Sequence, residues 1–196
     1  MNNRDLYFIL IIGALVGLLA QPILQNILVG FFPDRVPPWV FVVAWFIFFI
    51  GAPVALYVCF FLSRFFSVLY QFGKFAAVGV LNTFVDLGIF NFLAFPILSK
   101  ALTLSVAQFV IFKSVSFLIA NGNSYWWNSR WTFSVSSHSG SRALSFYAVS
   151  IFGFFVNVCT AYVVNFLLTT FSFSSGVAAN IAVGVAVVAS LMFNFV

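Results

Sequence analysis

Apolar residues run along the chain in six stretches, about 6–31, 39–63, 75–98, 102–127, 145–169 and 176–196, parted by short polar or proline-bearing breaks. Each is close to the ~20 residues an α-helix needs to cross a hydrocarbon core, so the pattern predicts an all-α chain of six spans. Gln21, Pro22, Gln25 and Asn26 interrupt the first run, which predicts a kink near Pro22. Residues 6–20 have the look of a signal-peptide core. The apolar character resumes after Pro22 with no small-residue cleavage pattern, so a retained span is expected. Pro33, Pro37 and Pro38 mark a break that cannot be helical throughout, and Trp39 marks an interface.

The fourth run is the least uniform. At about 100° per residue, Lys113, Ser116, Ala120, Asn121, Asn123, Ser124 and Asn128 fall on one half of a helix. Ile111, Val115, Leu118, Ile119 and Trp126 occupy the other half. Polar groups facing lipid cost several kcal/mol each, so this stripe is expected to face protein or a wet cavity. Ser and Asn alone would also serve as helix–helix contacts; the lysine among them tips the reading towards a functional cavity.

The third run places Gly79, Asn82 and Asp86 on one face. Asp86 is the one acidic residue expected inside the membrane and Lys113 the one basic residue there. They fall at comparable depth on consecutive antiparallel spans, within a lysine side chain's reach of each other. Just before this run Arg64, Ser67, Gln71 and Lys74 share a face opposite Phe65, Phe66, Leu69 and Phe72, which predicts a short interfacial helix over 64–74.

An internal repeat follows. Residues 74–86 align with 145–157 at a shift of 71, and at a shift of 70 Ser124 falls opposite Asn194. Each copy is a two-span hairpin, 75–133 and 145–196. The copies therefore share orientation and are expected to be related by an axis along the membrane normal. The second copy carries Asn157 for Asp86, and Gly184 or Val183 for Lys113, so one hairpin keeps charges that the other lacks. Residues 1–63 fall outside the repeat as a two-span N-terminal extension.

Composition strengthens the membrane reading. Of the 196 residues 64% are hydrophobic and 6% charged, against about 45–50% and 25% in soluble domains. The mean hydropathy of +1.17 agrees. A net charge of +5 is of the sign a nucleic-acid partner requires, but the eight basic residues stand singly between apolar runs. They read as topology determinants and contacts to anionic lipid, with no nucleic-acid partner. Arg4, Arg64, Lys74, Arg130 and Arg142 fall on one side and Arg35 and Lys100 on the other, which predicts both termini in the cytoplasm. Cys59 and Cys159 sit in distant apolar runs and read as small core residues. His138 lies in a Ser-rich loop and reads as solvated. No nucleophile–base pair, metal cluster or phosphate loop is legible, so neither an enzyme nor a cofactor or metal site is expected.

The Val-Gly-x-Leu-Asn-Thr-x-x-Asp of residues 78–86 is followed by Lys113-Ser114-x-Ser116-Phe117. Tyr125-x-x-Asn128-x-Arg130-Trp131-Thr132-Phe133 comes next, and together these resemble the GtrA-like family over about residues 70–196. The first two spans are extra to that family's usual four. The resemblance implies a four-helix bacterial inner-membrane protein that flips polyprenyl-phosphate-linked sugars or assists the glycosyltransferases that use them. In that setting Lys113 is the candidate cation for the lipid phosphate, with Asp86 and Asn82 beside it. Ser116, Asn121, Asn123, Ser124 and Asn128 would receive sugar hydroxyls. Lys74, Arg130 and Arg142 would gather the head group, at around 1 kcal/mol per basic residue. Trp126, Trp127 and Trp131 are expected at head-group level, as anchors or stacking surfaces. Two other readings stand beside this one: a non-transporting adaptor that holds lipid and glycosyltransferase together, and a small cation-coupled transporter using Asp86. A hairpin repeat this small is also expected to need a partner copy to enclose a head group.

Overall fold

The structure is a computed structural model that describes residues 1–31, 36–98, 103–133 and 140–195, except the side chains of 26, 29–31, 140–149 and 191–195. Among the described residues there are six α-helices and no strand: α1 (Asn3–Phe31), α2 (Pro38–Leu62), α3 (Val68–Leu98), α4 (Val106–Trp127), α5 (Gly140–Thr170) and α6 (Ser175–Phe195). Asn128–Thr132 extends α4 as a π-helical turn. The all-α polytopic class read from the apolar runs is what the chain adopts.

Local chemistry sets the ends. Asn2 Oδ1 accepts the Asp5 backbone N–H at 2.8 Å, capping α1. Pro38 opens α2 at a position where its missing N–H costs nothing. Ser105 and Gln108 form a reciprocal capping box at the start of α4. After α5, Ser172 takes a φ of 65°, and the Phe173 and Ser172 amides return to the Leu168 and Thr169 carbonyls. That closure turns the chain at once into α6.

Among the described residues four helical stretches are long and apolar enough to cross a membrane: Asn3–Gln25, Pro38–Leu62, Val68–Leu98 and Ser150–Thr170. The polar stripe keeps α4 out of that group. The apolar part of α6, Ser175–Ser190, is shorter. One boundary differs from the sequence reading. Residues 68–74 are not a separate interfacial helix but the first turns of α3. They are drawn in because a Cβ on Gly73 would lie 2.8 Å from the Cys59 Cβ of α2, so only glycine allows that approach. Phe65, Phe66, Val68 and Phe72 stay exposed beside it.

Helix α3 is the hub, packing on α1, α2, α4 and α6. Its first half joins an apolar core of Ile9, Ile12, Val16, Leu56, Val78, Leu81, Trp127 and Trp131. Its second half joins another made by Phe90, Ala94, Phe109, Ala161 and the alanine-rich face of α6. Helix α2 is the least buried of the four membrane-length stretches and leans on α1. Gly13 and Gly17 of α1 admit it: a Cβ on Gly13 would meet the Phe48 carbonyl oxygen at 2.8 Å.

Candidate functional site

Along α3, Asp86 lies between Leu81 of the first core and Phe90 of the second. Its side chain is 3% exposed. Oδ2 accepts from Lys113 Nζ at 2.5 Å, and Oδ1 accepts from Ser116 Oγ at 2.6 Å. Ser116 Oγ is also 3.0 Å from the Lys113 carbonyl. Lys113 and Ser116 are both fully buried. A lone charge at this depth would cost several kcal/mol, and the pair with its hydroxyl leaves neither ion alone.

Helix α4 divides as its sequence pattern does. Lys113, Ser116 and Ala120 are buried, Asn121, Asn123, Ser124 and Asn128 are half-buried, and Ile111, Val115, Leu118, Ile119 and Trp126 are exposed. Several polar atoms of this seam lack a protein partner. They are Asn82 Oδ1, Asn123 Nδ2, Asn128 Oδ1 and Thr132 Oγ1, all buried. Asn128 Nδ2 does reach Ser124 Oγ at 3.2 Å, and Ser150 Oγ reaches Asn121 Oδ1 at 3.4 Å. An unsatisfied buried group costs about 1–3 kcal/mol, so the seam retains capacity to bind water or hydroxyls.

The second hairpin shows what the charges replace. Asn157 Nδ2 donates to Ser190 Oγ at 3.3 Å, and Ser190 Oγ reaches back to the Val187 carbonyl as Ser116 does to Lys113. On this hydrogen-bond pattern Val187, not Gly184 or Val183, is the counterpart of Lys113. The packing of α5 on α6 is offset by about one turn from the ungapped alignment. Asn194, taken as the partner of Ser124, has its side chain outside the described residues. Between the hairpins, Asn91 and Asn180 exchange both amide hydrogen bonds, at 2.6 and 3.0 Å, tying α3 to α6.

A second polar centre lies where α1 begins. Asp5 Oδ1 takes Trp131 Nε1 at 2.8 Å and Lys74 Nζ at 2.8 Å, while Oδ2 takes the Tyr70 hydroxyl at 2.7 Å. Arg4 donates to the Arg130 carbonyl at 2.9 Å, and the Arg130 guanidinium lies over the Trp126 ring. A family model described as GtrA/DPMS, transmembrane domain, matches residues 74–196. The chain belongs to this family. No curated protein and no solved structure matches it.

It is thus a multi-pass membrane protein of the GtrA/DPMS family, which is involved in handling lipid-linked sugars. The matched region begins at Lys74, so Asp5 comes from outside it and closes on Lys74 and Trp131 within it. Sequence reasoning passed over Asp5, although it is one of only three acidic residues in the chain. Lys74 therefore stands in an ion pair rather than free at the rim. Trp127 and Trp131, expected at head-group level, are buried in the first core, where Phe8 of α1 packs edge-on against both rings. Trp126 alone of the three is exposed. Arg142 falls in the first turn of α5, and its side chain lies outside the described ones, as does all of His138. Cys59 and Cys159 are free thiols on different helices.

Proposed function

We propose that this GtrA/DPMS-family protein carries a polyprenyl-phosphate-linked sugar across the bacterial cytoplasmic membrane, with both termini in the cytoplasm, and that it is a carrier rather than an enzyme. The observation that carries the reading is the Lys113–Asp86–Ser116 cluster, sealed between two apolar cores and continued by the unfilled amides of Asn82, Asn123 and Asn128. A phosphodiester crossing hydrocarbon needs a cation at depth, and its sugar needs hydroxyl partners on the way. Lys113 can exchange the Asp86 carboxylate for the lipid phosphate, while Ser116 stays on Asp86.

Asp86 has both oxygens engaged, which weighs against a free cation site. The complete burial of Lys113 also suits a second reading, an accessory that presents the lipid to a glycosyltransferase without moving it. Lipid translocation in reconstituted vesicles separates the two. The double variant Asp86→Asn/Lys113→Gln is expected to fold and to translocate at least tenfold more slowly, with Lys113→Arg retaining part of the rate. Normal transport by the neutral double variant would overturn the mechanism, and lipid binding without any transport by the native protein would favour the accessory.

Orientation has its own check. Ser67 is exposed in the turn between α2 and α3. A Ser67→Cys variant is expected to react with an impermeant maleimide from the cytoplasmic side, and labelling from the outside would reverse the topology.

A further inference from the structure

The Asp5 centre has the make-up of an occupied anion site. Three donors from two elements converge on one carboxylate: the Lys74 ammonium and Tyr70 hydroxyl of α3, and the Trp131 indole of the π-helical turn. The Asp5 side chain is 6% exposed and that of Lys74 15%. Lys74 also lies over the Tyr70 ring, 4.6 Å from its centre. An ammonium, a hydroxyl and an indole N–H suit a phosphate oxygen as well as they suit a carboxylate oxygen.

An apolar cavity of about 390 Å³ adjoins this centre, bounded by Ile9, Ile12, Leu56, Gly73 and Ala77. Ile9 lies one turn along α1 from Asp5, and Gly73 is the neighbour of Lys74. Donors that hold an anion, set one helical turn from an apolar cavity, are complementary to an amphiphile with an anionic head and a hydrocarbon chain. Free phosphate would leave the chamber empty, and an uncharged lipid would leave Lys74 without a counterion.

We propose that the α1–α2–α3 junction is a binding site for a polyprenyl phosphate, its prenyl chain in the cavity and its phosphate on Lys74, Tyr70 and Trp131, and that the Asp5 carboxylate fills the phosphate position until the lipid displaces it. The proposal rests on the lipid-linked-sugar reading for its ligand class. It gives the N-terminal extension a role as an internal competitor at the entrance to the family domain.

The test is binding, not transport, and its Lys74→Gln arm separates this site from phosphate binding at Lys113. Asn at position 5 keeps the shape: its Oδ1 can still accept from Trp131 and its Nδ2 can donate to the Tyr70 oxygen, while the charge that holds Lys74 is gone. Native mass spectrometry of the full-length Asp5→Asn protein with farnesyl phosphate, farnesol and inorganic phosphate reads the result. Farnesyl phosphate is expected to bind at least tenfold more tightly than to the native protein, and adding Lys74→Gln should abolish the gain. An equal gain for farnesol or for inorganic phosphate, or no gain at all, overturns the proposal. Should Asp5→Asn not fold, the native protein carries a second arm. Farnesyl phosphate is expected to speed amide hydrogen exchange in residues 5–9 as Asp5 is expelled, and unchanged or slower exchange there overturns it.

Discussion

Asp86→Ala is expected to lower the unfolding free energy by about 3–5 kcal/mol, because it strands the Lys113 ammonium in a fully buried position. The loss comes less from the missing attraction than from the charge left without a counterion between two apolar cores. Asp86→Asn/Lys113→Gln removes both charges at similar volume, and most of that loss should return. The two single neutral variants and the double form a cycle whose coupling reports the pair itself. Unfolding in detergent micelles measures it. A single-variant loss under about 1 kcal/mol would mean that water already solvates Lys113 and that the cluster is not sealed.

Gly13→Leu should separate α1 from α2. The added Cβ alone would stand 2.8 Å from the Phe48 carbonyl oxygen and 3.2 Å from Phe49 Cα, both backbone atoms that cannot rotate away. Overpacking of this kind costs about 1–3 kcal/mol for modest insertions, with leucine at or beyond the upper end and Gly13→Ala at the lower. Gly51 provides the control, since nothing lies within 4 Å of a Cβ built there. Gly51→Ala should be neutral or gain up to about 1 kcal/mol from helix propensity. A thermal midpoint that fell equally for Gly13→Ala and Gly51→Ala would show that the close approach of the helices is not what Gly13 provides.

The seam and the N-terminal centre differ in how far local pattern reaches. Lys113 and Asp86 could be matched from sequence because a bilayer reduces position to depth and helical face. Opposite charges at one depth on neighbouring spans have few other partners. The side of α4 that turns inward followed for the same reason, as did the capping box at Ser105, which involves only residues three apart. The Asn91–Asn180 amide pair joins residues 89 positions apart on helices not consecutive in sequence. No periodicity in either helix marks it.

By itself the sequence determined the class, the family and the charged pair within it, because hydrocarbon demands helices and punishes unpaired polarity. Tertiary structure alone decided what the first two helices do. Nothing local to Asp5 tells that α1 will pack on α3 and carry that carboxylate to Lys74 and Trp131, 69 and 126 residues away. The same packing buries Trp127 and Trp131 and takes Lys74 from an open rim into an ion pair. It follows from glycine-sized gaps and apolar faces shared among three helices. Such complementarity belongs to surfaces that exist only once the helices have met.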